Sequence, residues 1–448
     1  MSPRVTAAIG RTFSSVRSSR NFRLYLFGQS VSAIGTWMNF TASAWLVLQL
    51  TDSGTALGAN VALYFLPVLL LGAYGGVLAD RFDKRHILVA TQAAYGIVAL
   101  SLWALVATDV VVLWMVYALS LASGIVTAID NPSRQSFYVE MVGEEHVRNA
   151  VSLNSAAFTG SRIFGPAIAG ILIATVGIAT CFLIDGVSYA AVLVALLAMR
   201  PDELHPQKRS TRDRGHLVAG LKYVWATDEL RRPLIAMAIV FTVSFNFAVF
   251  VPLLAERTFG GDAGTFGVLS ALAGVGSFLG AIVMASRAAH PRMRDLARWA
   301  VAAGISLVLP ALAPTLWLAG ASMIPMGFAI MAFMITGNTM LQLSSRPEAR
   351  GRVMALYGIV FLGSTPIGAP IAGVIGEHLG ARVGFAVSGL VAGGLGLALL
   401  AARRRMAVPP LTEAEERPET ARESPRDEAR SRPSPASVSP RGGSRATS

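Results

Sequence analysis

Long apolar runs alternate with short charged or turn-rich breaks along most of the chain, and each run is about as long as a bilayer crossing. A hydrocarbon core of about 30 Å needs roughly 20 apolar residues of helix. Twelve runs meet that length, at approximately 24–49, 55–79, 87–107, 110–130, 150–175, 178–199, 232–256, 264–286, 296–313, 316–342, 353–377 and 381–402. Between the sixth and seventh, residues 200–230 are polar, although their GHLVAGLKYVWATDEL section (215–230) reads as an amphipathic helix lying on a membrane surface. After Leu411 the chain is rich in Arg, Glu, Pro and Ser with almost no apolar content, a composition that cannot bury a core and predicts disorder. The pattern divides the chain into a segment 1–22, a six-helix bundle 23–199, a central loop 200–230, a second six-helix bundle 231–402 and a tail 403–448.

Composition agrees. Only 14% of the 448 residues are charged and 53% are apolar, whereas soluble domains carry about 25% charge. A net charge of +12 could suggest a nucleic-acid partner, but the charges sit between the apolar runs, and none is expected. Their distribution sets the orientation instead, because Arg and Lys accumulate in cytoplasmic connections. Of 38 basic residues, 35 fall in the two terminal segments and the alternate connections 80–86, 131–149, 200–232, 287–298 and 346–352. The opposite side has Arg257 and Arg382, and the one remaining is Arg162. Both termini are therefore expected in the cytoplasm of a bacterial cell, with the protein in the inner or plasma membrane. The basic N-terminus lacks a compact apolar core and a small-residue cleavage site, so it does not read as a removable signal peptide.

The chain repeats itself at an offset of 203 residues. LNSAAFTGSRIFGPAIAG (153–170) aligns with LYGIVFLGSTPIGAPIAG (356–373), and nearby Asn39-Phe40 recurs as Asn246-Phe247 at an offset of 207. Matches six spans apart imply two six-helix halves in parallel repeat, related by an axis along the membrane normal, an arrangement found in transporters with a site between the halves. In both copies small residues recur every four positions: Ala157, Ser161, Gly165 and Ala169 in one, Ser364, Gly368, Ala372 and Gly376 in the other. Such stripes let helix backbones approach closely, whether as plain packing or at an interface that rocks.

Twelve spans, a six-plus-six repeat and GGVLADRFDKRH (75–86) between spans 2 and 3 resemble the major facilitator superfamily. Its signature loop is matched by Gly76, Leu78, Asp80, Arg81, Lys84 and Arg85, with Phe82-Asp83 where a second glycine is usual. GTWMNFTASAWLVLQLTDS (35–53), FLPVLLLGAYGGVLADRFDKR (65–85) and DNPSRQSFYVEMV (130–142) are similar to the branch with the enterobactin exporter and macrolide efflux proteins. The resemblance implies an all-α membrane fold of twelve helices that transports a small molecule by alternating access, as a monomer and without a cofactor. It also implies a gating role for Asp80, paired with a basic residue below span 4, for which Arg134 is the candidate, and with the start of span 11. The loop 285–295 in the second half keeps basic charge but lacks the aspartate at that position. Span 5 is similar to the antiporter signature through Gly165, Pro166 and Gly170, with Ser161 and Ala169 in place of outer glycines; Gly368 and Gly373 are the repeat-mates of Gly165 and Gly170.

Chemistry narrows the energy source. No glycine is followed by lysine, so the phosphate loop G-x-x-x-x-G-K-[ST] is absent and an ion gradient replaces ATP as the expected drive. One cysteine, Cys181, and six histidines near loops offer no metal cluster. A carboxylate inside the bundle would be the usual proton carrier. Because the resemblance implies that span 4 lines the cavity and span 6 packs more peripherally, Asp130 is preferred over Asp185, unless it forms only a helix-end pair with Arg134; Glu256 and Glu377 read as solvated span ends. Gln29, Asn39, Gln49, Asn246, Asn338 and Gln342, interleaved with Trp37, Phe40, Phe245, Phe247 and Phe333, suit an amphipathic organic cargo of drug or siderophore kind, or serve as helix–helix glue.

Arg162 is the outlier. It stands about twelve residues from either end of span 5, roughly 18 Å of helix, too deep to snorkel. Pro166 removes the amide that would bond its carbonyl. Two explanations stand: a buried pair to Asp130 or Asp185 that locks spans together, or a cavity arginine for an anionic or polar cargo group. The repeat-mate is Thr365, so the charge belongs to one half. A rival class, a non-transporting sensor or scaffold, would need an ordered signalling domain, and a membrane enzyme would need a catalytic constellation at one depth. Neither is visible.

Overall fold

The structure, a computed structural model, describes residues 14–205, 216–287 and 290–406. Helix dominates, and among the described residues twelve helices are long and apolar enough to cross a membrane. Spans 1 to 6 are Arg20–Thr51, Gly54–Arg81, Lys84–Ala107, Leu113–Val147, Asn149–Thr175 and Ile178–Leu197. Spans 7 to 12 are Asp228–Thr258, Ala263–Ala285, Met293–Leu312, Leu316–Ser344, Pro347–His378 and Ala381–Met406. We call the face at which span 1 begins the near face and the other the far face. Of the tail 403–448, residues 403–406 continue span 12 as helix rather than beginning a disordered segment, and the rest lies outside the described residues.

The connection expected at 131–149 is helix instead. Spans 4 and 5 run on from one to the other, with a kink near the end of span 4 at Gly143, whose φ of 72° falls in the left-handed region that favours glycine. The expected amphipathic helix is present as His216–Ala226. It packs beside the start of span 11, where the Arg346 amide donates to the Tyr223 hydroxyl at 3.3 Å and Val224 is fully buried.

Pairing of spans shows the parallel repeat. Span 1 packs on span 5, where a Cβ on Gly165 would strike Trp37. Span 7 packs on span 11 at the repeat-mate, where a Cβ on Gly368 would strike the Thr242 carbonyl. Spans 2 and 4 meet at Gly75 and Gly124, as spans 8 and 10 meet at Gly276 and Gly327. Spans 1 and 6 are joined by Asn39 to Asp185 at 2.7 Å, and spans 7 and 12 by Ser244 to the Ser388 carbonyl at 2.7 Å. The glycine contacts recur at repeat-mates 200-odd residues on, and the same pairs of spans meet in both halves, though spans 7 and 12 are joined by other residues than the mates of Asn39 and Asp185.

Two spans are broken where the sequence predicts continuous helix. Span 7 interrupts at Phe245 and Asn246, and span 11 at Ser364. At the first break the Asn246 amide donates to the carbonyls of Thr242 and Val243, at 2.8 and 3.2 Å, and so satisfies acceptors that the interruption frees. Non-helical backbone at membrane depth survives only where it is packed in protein or lines a cavity, and this one does the latter.

Candidate functional site: a central cavity and the contacts that close it

A cavity enclosing about 1170 Å³ of unfilled space lies between the halves. Spans 1, 2 and 5 supply one wall, through residues such as Trp37, Phe40, Phe65 and Arg162; spans 7, 8, 10 and 11 supply the other, through Phe245, Phe247, Phe266, Met331 and Thr365. The lining is mostly apolar and aromatic with few polar groups, as ligand pockets are. Among the described residues Arg162 is its only charged lining residue. Its guanidinium carbon stands 4.9 Å from the centre of the Trp37 ring, and among the described residues it forms no ion pair. The expected lock to Asp130 or Asp185 is not formed in this structure: Asp130 is bonded to Arg134 and Asp185 to Asn39. A desolvated cation over an indole gains about 2 kcal/mol, which offsets much of the roughly 3 kcal/mol that a central arginine costs. The carbonyl freed by Pro166 faces span 8, where a Cβ on Gly274 would lie 2.8 Å from the Arg162 oxygen.

A smaller cavity, of about 720 Å³, lies inside the first half, among spans 1, 2, 3, 4 and 6. Asp185 and Asn39 line it together with Tyr64, Tyr95 and Tyr189. The Asn39 amide donates to Asp185 Oδ2 and Ser43 donates to Asn39 Oδ1 at 3.0 Å. Asp185 is 1% exposed, and its Oδ1 has no hydrogen-bond partner. Asp130 is the opposite case. Thr91 and Gln92 donate to its Oδ1, at 2.7 and 2.9 Å, and both Nε and Nη2 of Arg134 donate to its Oδ2. The helix-end pairing is therefore formed, and Asp130 lines neither cavity.

Around the signature loop, Asp83 caps span 3 by accepting from the His86 amide at 3.0 Å. Lys84 pairs with Glu140 at 2.6 Å, and Arg85 donates to the carbonyls of Leu196 and Leu197. These contacts fasten spans 3, 4 and 6 together at the near face. Arg81 is exposed, Gly76 and Asp80 are half-buried at the end of span 2, and Arg134 directs its guanidinium to Asp130, which differs from the expected pairing with Asp80. Asn338 accepts from Gln342 at 2.6 Å along its own helix and lines neither cavity.

At the far face the halves are clamped. Glu377 accepts from the Ser53 hydroxyl at 2.8 Å and the Thr55 amide at 3.0 Å, and Arg257 bridges to Asp52 at 3.2 Å and toward Glu377 at 3.8 Å. Arg257 also donates to the Asp52 carbonyl. Nearby, Asp262 caps span 8, and the Thr265 donors hold its carboxyl below the usual carboxylate range. Below the clamp, backbones of opposite halves touch at glycines: Gly170 of span 5 against Gly267 of span 8, and Gly373 of span 11 against Gly54 of span 2. The small residues of spans 5 and 11 thus do two jobs. Gly165 and Gly368 pack within their halves, and Gly170 and Gly373, one helical face round, pack across them. Glu377 thus differs from the solvated span end expected of it; the signal in the sequence is that few far-face charges exist at all, and opposite signs sit at equivalent ends of spans 1, 7 and 11.

Two pseudo-symmetric six-helix halves around a mid-depth cavity define a major facilitator superfamily transporter. The chain belongs to the transmembrane secretion effector family of that superfamily, whose model matches residues 11–434. It is 24% identical over 405 residues to the uncharacterized MFS-type transporter YfiS of Bacillus subtilis, covering 87% of this chain and 94% of that protein. To the staphyloferrin A transporter of Staphylococcus aureus it is 25% identical, over 58% of this chain and 66% of that one. To the multidrug efflux pump Tap of Mycolicibacterium fortuitum it is 25% identical, over 81% and 90% respectively. Among solved structures, a bacterial homologue of the human lysosomal transporter Spinster, inward-facing and occupied, superposes with a TM-score of 0.69 at 15% identity, covering 86% of this chain and 98% of that one. The nucleoside transporter NupG superposes equally well, at 0.69 and 12% identity.

Proposed function

We propose that this transporter exports amphipathic organic molecules of drug or siderophore kind by alternating access, coupled to inward movement of protons. The carrying observation is the central cavity: an aromatic chamber walled by both halves, with one cation among its described lining residues and a polar clamp between the halves at the far face. Efflux and siderophore relatives point the same way. In this reading the near face, which receives 35 of the 38 basic residues, is cytoplasmic in a bacterial cell membrane. The clamped far face then makes this an inward-facing state. The chain works as a monomer, with bundles 23–199 and 231–402 as its two rocking bodies.

Cargo reaches the chamber from the near face and places apolar rings against Trp37, Phe40 and Phe245 and a polar or anionic group toward Arg162. Closing the near face and separating Arg257 from Asp52 and Glu377 releases it at the far side. Dye and drug accumulation should fall in cells expressing the gene and return to control levels with a protonophore. Accumulation unchanged across a broad amphipathic panel would favour a non-transporting sensor or scaffold.

The signature loop supplies a separate test. Asp80→Asn removes one negative charge where span 2 meets the near face. It should leave membrane levels of the protein unchanged and reduce efflux at least fivefold. Wild-type efflux in that variant would remove Asp80 from gating.

A further inference from the structure

The cavity inside the first half has no role in the account of cargo, yet it is built around an ionisable group. Asp185 is all but completely buried, faces no cation in that cavity, and leaves Oδ1 without a partner. Space for that oxygen is provided by Gly35 of span 1, where a Cβ would lie 2.8 Å from Oδ1. An unpaired buried carboxylate is costly, and membrane proteins keep ionisable groups at such depth for ion and proton pathways.

We infer that Asp185 is the residue that binds and releases the coupled proton, in a chamber separate from the cargo chamber. The inference rests on the proton-coupled reading above. Position supports it: Asp185 lies seven residues into span 6 from the far face, about 10 Å of helix, on the side from which an exporter's protons come. Its surroundings are neutral. Asn39 faces it from span 1, Tyr64 from span 2, Tyr95 from span 3, Ser123 from span 4 and Tyr189 from its own helix, and the Asp130–Arg134 pair of that half lies outside the cavity lining. Protonating Asp130 would sacrifice that ion pair, whereas protonating Asp185 sacrifices none.

The wall between chambers is one helix thick. Phe40, Ala44 and Val61 line both cavities, and Phe40 packs edge-on to Trp37 on one side and Tyr64 on the other, at 5.9 and 6.1 Å. When a proton forms an O–H bond at Asp185 Oδ1, the oxygen that now has no partner, the carboxyl becomes neutral and Oδ1 gains a donor, while Oδ2 still accepts from the Asn39 amide but without the charge that strengthens that bond. The link between spans 1 and 6 is weakened on the turn of span 1 that carries Trp37 and Phe40 at the cargo chamber. Loss of the proton restores the charge-assisted bond. The repeat-mate of Asp185 is Ser388, which donates to the Val243 carbonyl at 2.9 Å, so this proton site belongs to one half.

The test uses the purified full chain and two readouts. In pH-difference infrared spectra, wild type and Asp130→Asn should show a carboxylic-acid C=O band that Asp185→Asn lacks; a band undiminished in Asp185→Asn overturns the inference. The asparagine keeps an acceptor for Asn39, so folding should persist. A second variant, Gly35→Ala, crowds Oδ1 without removing the acid and should shift the band's titration midpoint by at least half a pH unit; an unmoved midpoint contradicts the site geometry. In cells, Asp185→Asn should abolish protonophore-sensitive dye efflux while Asp130→Asn retains part of it. Efflux in Asp185→Asn that stays wild-type and protonophore-sensitive also overturns the inference. Wild-type efflux that ignores the protonophore refutes proton coupling itself, and the infrared result then still decides whether Asp185 exchanges a proton.

Discussion

Arg162→Ala should reach the membrane at wild-type levels, melt within a few degrees of wild type in detergent, and lose at least tenfold of its efflux of acidic amphipathic compounds. The folding half of that expectation follows from what Arg162 touches. It contacts the Trp37 ring and forms no ion pair among the described residues, so truncation strands no carboxylate. Breaking a buried pair by removing one partner costs about 3–5 kcal/mol; removing a cation that has no such partner avoids that penalty. The transport half follows from its position as the one charge among the described residues lining the cavity. A charged hydrogen bond to a ligand contributes about 1.5–3 kcal/mol, or roughly tenfold to a hundredfold in affinity. Neutral cargo of the same size should lose much less, and Arg162→Lys should keep part of the preference for acids, since it retains charge but not the planar stack. Expression and monodispersity come from fluorescence-detected chromatography, and transport from efflux of a matched acid and amide pair. Equal losses for acid and amide would place Arg162 in packing or gating rather than in cargo recognition.

The spans were legible because the bilayer imposes one rule on every segment, and the repeat because its halves kept the residues at their closest approaches. What was hidden depended on pairings across the bundle. Asn39 and Asn246 are repeat-mates with the same phenylalanine after them, yet one sits in continuous helix and the other at a break. The difference lies on the partner helix. Asn39 spends its amide on Asp185; the corresponding residue for Asn246 is Ser388, and Asn246 instead donates to its own backbone carbonyls. No local pattern in span 7 carries that information. Asp130 and Asp185 exchanged rank for a similar reason: depth and span number favoured Asp130, but Thr91, Gln92 and Arg134 already occupy it. Arg162 was the reverse case, visible at once because its cost in a membrane does not depend on its neighbours.

The cross-half glycines carry the second large effect. A Cβ on Gly267 would lie 2.7 Å from the Pro166 carbonyl oxygen and 2.8 Å from the Gly170 Cα, and one on Gly373 would lie 2.6 Å from the Gly54 carbonyl oxygen. Backbone stands on both sides of each contact, so no flexible side chain can yield, and a branched residue must hold the halves apart. The double variant Gly267→Val/Gly373→Val should therefore insert and fold, because packing within each half is untouched, yet be unable to close its far face. Transport should fall at least tenfold. A cysteine placed at Ser270, which lines the cavity, in a Cys181→Ala background should label severalfold faster from the far side with an impermeant maleimide than the same cysteine without the two valines. The clamp predicts a graded companion: Glu377→Gln keeps its position but weakens the attraction to Arg257 and the bonds from Ser53 and Thr55, and should raise far-side labelling by a smaller factor while sparing most transport. The ordering follows from the kind of force removed. Electrostatic attraction at a half-exposed site shifts a population modestly, whereas steric exclusion between backbones eliminates one of the two states that alternating access requires. If the double valine variant transports normally and Ser270→Cys labels at the control rate, the glycines are packing residues only and the far-face closure lies elsewhere.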